Sequence, residues 1–354
     1  MSSPPPTHRR RRLWRKRQSI LYALHPDRLP AESIRLTYTF GLGGISVLAT
    51  VVAIVTGVLL TFYYIPTIDQ AYESVTLIED VVAYGSLIRA LHYWSAQLLL
   101  VAVTLHMARI VFTGAFGRPR RFNWLVGLGL LALTLLWSFS GYTLRWDESA
   151  LWALLVGTNL LKEIPAWGDA LYAMLVGDVQ IGTAALVRFY SWHVIGLTML
   201  VVFGIVYHLF RLRRDGGISR PPVETDDHRR NFVSKDALFA KEIPAALIII
   251  ALLLLFSGLI PAPLTGPALL DQPPAQAAAP WFFLWVQEML HWLTPFWAGV
   301  ATPLLALLLL AILPWITRPG RVGVWFDPRR WPAQTILLIL VGIIAILTLL
   351  ALLR

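Results

Sequence analysis

The chain has 354 residues, of which 57% are hydrophobic and 14% charged, with 30 Lys and Arg against 20 Asp and Glu. A soluble domain carries about 25% charged residues, so this composition excludes a fold covered by polar surface and implies insertion into a membrane. Zero cysteines exclude disulfides, thiolate-held iron–sulfur clusters and a haem attached through thioethers.

In chain order, residues 1–36 form a basic arm carrying Arg9, Arg10, Arg11, Arg12, Arg15, Lys16 and Arg17, with Pro4, Pro5 and Pro6 at its tip. Seven long apolar stretches follow, at 37–64, 87–112, 124–144, 184–210, 243–260, 296–316 and 335–353. Each approaches or exceeds the roughly 20 residues a helix needs to cross hydrocarbon at about 1.5 Å per residue. The first lies behind the basic arm and is too long for the apolar core of a signal peptide, so it reads as a span. The fold class expected is therefore all-α, a polytopic membrane protein.

The loops between spans differ in charge. Arg118, Arg120 and Arg121 follow the second span, Arg211, Arg213, Arg214, Arg220, Arg229, Arg230 and Lys235 the fourth, and Arg318, Arg321, Arg329 and Arg330 the sixth. The alternate loops are poor in Lys and Arg: 65–85 and 261–295 have none, and 145–182 has only Arg145 and Lys162. By the positive-inside rule the N-terminus is cytoplasmic and the C-terminus lies outside. Basic residues beside anionic lipid headgroups account for the net charge of +10, and no nucleic acid is called for. The long connection 145–182 holds amphipathic stretches at 150–161 and 167–175, suited to short interfacial helices.

Four of the eight histidines fall inside spans: His92 and His106 in the second, His193 and His208 in the fourth. Ionisable residues at membrane depth are costly and face the protein interior. His92 and His106 are 14 residues apart, and His193 and His208 are 15 apart. At about 100° and 1.5 Å per residue the first pair returns to within roughly 40° of one face over about 21 Å, the second to within roughly 60° over about 22 Å. Both spans run outside to inside, so His92 faces His193 at outer depth and His106 faces His208 at inner depth. Two imidazoles on one haem iron leave no open coordination position, which suits electron transfer. The competing reading is four polar contacts between helices. Zinc or copper is disfavoured because neither pair has a third and fourth ligand nearby in sequence. His8, His25, His228 and His291 lie in polar or connecting segments, where surface roles are the default.

Gly43 and Gly57 in the first span, and Gly127 and Gly141 in the third, repeat the interval of 14. Glycine lets a flat macrocycle or a neighbouring helix approach the backbone. Arg89 and Arg188 near the outer ends, and Arg213 at the inner end, are candidates for haem propionates; snorkelling to the interface is the alternative for each.

The stretches Leu42-Gly43-Gly44-Ile45, Thr61-Phe62-Tyr63-Tyr64, Leu87-Ile88-Arg89, His92 with Trp94-Ser95-Ala96, Gly141-Tyr142, Trp146-Asp147 and Arg188-Phe189-Tyr190-Ser191 before His193 resemble the cytochrome b family, in its cytochrome b6 form. Spans five to seven, with Lys235-Asp236 before them, resemble the three-helix partner subunit of that form fused into one chain. The resemblance implies a basic cytoplasmic arm at 1–36, a four-helix di-haem core at 37–215, a cytoplasmic linker at 216–241 and a three-helix membrane part at 242–354.

It further implies two haem b groups, a quinone or quinol, and a quinol-oxidising, dimeric complex in the cytoplasmic membrane of a prokaryote. A Rieske iron–sulfur protein and a c-type cytochrome, or other redox subunits, would be its partners, and His92 with His193 and His106 with His208 its haem ligands. Three positions depart from the family. Gly41 stands where the b6 form has a cysteine, so no covalently attached haem is expected. Arg145 replaces a proline. Ala279-Pro280-Trp281-Phe282 stands where the family has Pro-Glu-Trp-Tyr, and Pro280 cannot accept the quinol proton that the glutamate takes. Asp147, Glu148, Asp271 and Glu288 are the substitutes in sequence. The alternatives are a haem b membrane anchor of another quinone-linked oxidoreductase, with a degenerate outer quinol site, and a haem-free transporter or structural subunit.

Overall fold

A computed structural model describes residues 28–178, 180–222, 232–269, 278–318 and 320–354. The arm residues 1–27, with His8 and His25, His228 in the linker, and Asp271 lie outside the described residues. Among the described residues, seven helices are long and apolar enough to cross a membrane: α1 (Leu42–Thr61), α2 (Gly85–Phe112), α3 (Arg121–Thr143), α4 (Thr183–Arg214), α5 (Lys235–Leu259), α6 (Phe296–Ile316) and α7 (Pro328–Leu353). The seven-span, all-α expectation holds. Because every backbone polar group must be satisfied internally in lipid, long helices are what such runs form. Exposed Leu247, Ile248, Leu252 and Leu255 of α5 suit hydrocarbon rather than water.

Helix ends separate into two groups. Among the described residues one end gathers 62–84, 144–178, 180–182, 260–269 and 278–295, the other 113–120, 215–222, 232–234, 317–318 and 320–327; the charge expectation makes the first outer and the second inner. At the outer end the two amphipathic stretches form helices Glu148–Lys162 and Gly168–Val176. The first starts where the Asp147 carboxylate accepts the Ala150 N–H at 2.8 Å, an N-cap typically contributing about 1 kcal/mol. A further outer helix, Ala71–Asp80, and a short one, Leu284–Met289, lie in connections read from sequence as loops. Residues 28–30 of the basic arm are not free: β1 (Arg28–Pro30) pairs antiparallel with β2 (Phe232–Ser234).

α1 packs on α2, and α3 on α4. Ala49 and Ala53 of α1, Leu99 of α2, Trp137 of α3 and Val201 of α4 form the mid-depth core of this bundle. α6 and α7 join it at inner depth, where Leu310, Leu313, Ala333 and Leu337 pack with Val111, Trp124 and Leu128. A third cluster, built on Leu151, Leu154, Leu186 and Phe189, seats the outer cap on the start of α4.

Candidate functional site

The rings of His92 and His193 face each other with centroids 6.1 Å apart and planes at 82°. Their Nδ1 atoms turn away from the gap. His92 Nδ1 lies 2.9 Å from the Ala53 carbonyl of α1 and 3.2 Å from Thr56 Oγ1. His193 Nδ1 lies 3.1 Å from the Trp137 carbonyl of α3 and 3.1 Å from Ser140 Oγ. A carbonyl can only accept, so Nδ1 carries the proton in both rings and Nε2 keeps its lone pair, the state a metal ligand needs. At inner depth His106 and His208 lie within electrostatic range of each other. His208 Nδ1 is buried and makes no hydrogen bond among the described residues.

Each expected glycine meets one histidine. A Cβ built on Gly57 would stand 3.0 Å from His92 Cε1, and one on Gly141 2.5 Å from His193 Cε1. On Gly43 it would stand 3.5 Å from His106 Cε1, and on Gly127 3.3 Å from His208 Cε1. The glycines thus make room for the imidazoles themselves. The outer seats share one construction: the ring bonds the carbonyl four residues before the glycine, beside the hydroxyl of the residue immediately before it. Ala53, Thr56, Trp137 and Ser140 are orienting groups that the sequence reading missed. The doublets Thr56-Gly57 and Ser140-Gly141 were their signal.

The two histidine-bearing helices solve the spacing differently. α2 is α-helical between its histidines, whereas α4 contains a π-turn over Trp192–Leu197, where Thr198 Oγ1 donates to the His193 carbonyl at 2.7 Å. A π-turn accommodates one extra residue. It brings the interval of 15 in α4 into the phase that 14 gives in α2. Among the described residues no group of three or more His, Cys, Asp or Glu gathers to hold a bare metal ion. Imidazoles that come in twos fit a cofactor whose metal already has its equatorial ligands, which is what a haem provides.

The three arginines expected at propionates have different surroundings. Arg89 pairs with Glu79 through Nε and donates to the carbonyls of Ala262 and Pro263. Arg188 Nη1 donates to the carbonyls of Ala173 and Met174, both at 2.9 Å, capping the Gly168–Val176 helix. Arg213 keeps a buried Nη1 without a partner. So does Arg109 at Nη2, three residues after His106 and with its guanidinium 4.3 Å above the Tyr38 ring; the sequence reading passed over it. Beside it, burial pulls the Arg120 guanidinium below its usual value, with Tyr38 and Asp215 acting the other way.

The altered motif lies against α2 and α3. Trp281 Nε1 donates to Gln97 Oε1 at 2.6 Å, the Tyr142 hydroxyl donates to the Ala278 carbonyl at 3.4 Å, and Phe283 packs edge-on to Phe139 at 5.8 Å. Of the acids offered as substitutes, Asp147 is fully buried and accepts from Ala150 N, Thr265 N and Arg145. Glu288 is buried; its Oε1 accepts from Trp292 Nε1 at 3.0 Å and Arg354 at 3.2 Å, while its Oε2 is buried without a hydrogen-bond partner among the described residues. Glu148 is half-buried, and only its backbone N–H is engaged there, on the Gly266 carbonyl at 2.9 Å.

Residues 29–216 match the family model described as cytochrome b/b6/petB. The cytochrome b6 of Heliomicrobium gestii is 40% identical over 192 residues, covering 54% of this chain and 90% of that protein. The menaquinol:cytochrome c reductase cytochrome b subunit of Geobacillus thermodenitrificans is 37% identical over 185 residues, covering 52% and 82%. A solved structure described as a hyperthermophilic respiratory Complex III aligns with a TM-score of 0.76 at 25% identity, over 90% of this chain and 84% of the other. That likeness extends past residue 216 into the three C-terminal helices. With residues 29–216, more than half of its length, matched by the family model, the chain belongs to the cytochrome b/b6/petB family.

Proposed function

We propose that this chain is the di-haem cytochrome b subunit of a quinol-oxidising complex, with His92 and His193 holding an outer haem b and His106 and His208 an inner one. Family membership carries b-type haem binding. The observation that supports two sites is the seating of the rings: each outer imidazole is held by Nδ1 on a helix carbonyl, and each of the four rests on its own glycine. A bis-imidazole haem supplies one-electron transfer and no open position for dioxygen. The chain's own groups orient the rings through Ala53, Thr56, Trp137 and Ser140, and offer donors at inner depth through Arg109 and Arg213. Quinol and quinone would bind beside the outer and inner pairs.

The relative from Geobacillus is named for a menaquinol:cytochrome c reductase. A place for this chain in a complex of that kind, dimeric and with a Rieske protein and a c-type cytochrome as partners, accords with that name. The N-terminus would then be cytoplasmic and the membrane a prokaryotic inner membrane, with no covalently attached haem because Gly41 offers no thiol. One observation favours the membrane-anchor alternative: Pro280 replaces the acid, and Asp147 is tied up structurally. Glu148 and the unbonded Oε2 of Glu288 are the described candidates left to take an outer quinol proton.

Purified protein should show b-type absorbance in a reduced-minus-oxidised spectrum and two components in a redox titration. His92→Ala should remove one component and leave the other. A wild-type spectrum without b-type absorbance would end the haem reading. Quinol oxidation with a Rieske partner present, abolished by Glu148→Gln, would separate the complex from the anchor.

A further inference from the structure

The outer seats hold two hydroxyl groups besides their carbonyls. Thr56 and Ser140 are buried, and each stands immediately before the glycine on which an outer ring rests. Thr56 Oγ1 donates to the carbonyls of Val52 at 2.7 Å and Ala53 at 3.2 Å. Ser140 Oγ donates to the Trp137 carbonyl at 2.9 Å. With its proton committed to backbone, each oxygen has lone pairs left for an imidazole, at 3.2 Å from His92 Nδ1 and 3.1 Å from His193 Nδ1. Those Nδ1 atoms carry protons, because the Ala53 and Trp137 carbonyls beside them can only accept. Each outer ring N–H therefore has two acceptors, one carbonyl and one hydroxyl.

The inner seats are built without the hydroxyl. Leu42 precedes Gly43 and Val126 precedes Gly127, and among the described residues no side-chain hydroxyl bonds His106 or His208. The difference repeats along both seating helices: α1 carries Leu42 inside and Thr56 outside, and α3 carries Val126 inside and Ser140 outside.

Hydrogen bonding at one nitrogen of a ligating imidazole raises the basicity of the other. A more basic ligand favours oxidised iron, which carries one more positive charge than reduced iron, and so lowers the reduction potential. Hydrogen bonds around the ligands are one of the means by which a protein sets that potential. A hydroxyl that is itself donating is polarised into a better acceptor, and a poorly screened interior strengthens the bond. We propose that Thr56 and Ser140 set the reduction potential of the outer centre, holding it below the value that the Ala53 and Trp137 carbonyls alone would give. The proposal rests on the two-centre reading above. Both are positioning residues, since they act through His92 and His193.

Thr56→Val keeps the shape of the side chain and Ser140→Ala removes a single oxygen, so each deletes the hydroxyl with little else. In potentiometry of the purified, haem-loaded full chain, the component that His92→Ala eliminates should move to a more positive potential in either variant, and further in the double variant. The other component should stay in place. Thr56→Ser, which retains the hydroxyl, should keep the wild-type midpoint. Thr134→Val removes another buried hydroxyl of α3, bonded to the Leu130 carbonyl at 2.8 Å, and should move neither component; this separates hydrogen bonding to the ring from loosening of the helix. If neither deletion assembles, Val126→Thr reads the same effect with the opposite sign, bringing a hydroxyl to the inner seat in the register of Ser140 and shifting the inner component negative. Two wild-type components with an unmoved midpoint in the variants that assemble overturn the proposal and leave the two-centre reading standing. A wild-type protein without two components overturns that reading itself.

Discussion

At the scale of single residues, the histidine seats are the most constrained feature of the molecule. Gly141 leaves 2.5 Å between a built Cβ and His193 Cε1, whereas Gly43 leaves 3.5 Å to His106 Cε1. His193 cannot retreat freely because Nδ1 is tied to Trp137 and Ser140. A methyl group forced into such a seat costs about 1–3 kcal/mol. Gly141→Ala should therefore weaken or abolish the outer spectral component and lower the thermal midpoint, while Gly43→Ala should keep both components near wild type. Equal effects of the two substitutions would refute the seat geometry. The interval of 14 between the glycines was legible in sequence, but their partners were not. Spacing gives the face of one helix, and it took the packing of α1 on α2 and of α3 on α4 to show that this face meets an imidazole. The arginines teach the same lesson. Arg89, Arg188 and Arg213 are alike in sequence, yet two are occupied by protein groups and one is not.

At the scale of elements, the π-turn of α4 explains how unequal intervals of 14 and 15 serve equivalent pairs. Regular α-helix would leave His208 about 100° out of step with the α2 pattern, since that is the turn of one residue. Deleting Ile195, an exposed residue within the π-turn, should convert the turn to α-helix and keep both haem components. Deleting Phe203, equally exposed but in regular helix beyond it, should rotate His208 away from His106 and cost the inner component alone. Loss of both components, or of neither, in the Phe203 deletion would count against this account. No single residue type marks a π-turn, so sequence showed the extra residue without showing where it is absorbed. The outer helices Glu148–Lys162 and Gly168–Val176 were visible as amphipathic runs. Ala71–Asp80 was hidden by its acids, of which Glu79 faces Arg89 rather than solvent.

At the scale of the whole molecule, the C-terminal helices are fastened to the four-helix bundle at both ends. Outside, Arg89, Tyr72, Trp94 and Asp147 all bond residues of the 260–268 segment. Inside, Arg330 at the start of α7 donates to the Thr113 carbonyl at 3.0 Å beyond α2, and Phe326 N–H donates to the Phe112 carbonyl. The absence of native cysteine makes the orientation directly testable. In intact cells a membrane-impermeant maleimide should label Trp167→Cys, at an exposed position in the outer cap, and should spare Arg321→Cys until the membrane is opened. The reverse pattern would invert the topology.

The sequence by itself determined the membrane class, the seven spans and two histidine pairs at matched depths, because hydropathy and helical phase are properties of one segment at a time. Only the tertiary structure decided which glycine seats which histidine, which carbonyl fixes each ring and which arginines are already paired. Those outcomes depend on the register of one helix against another, and packing between separate segments sets that register.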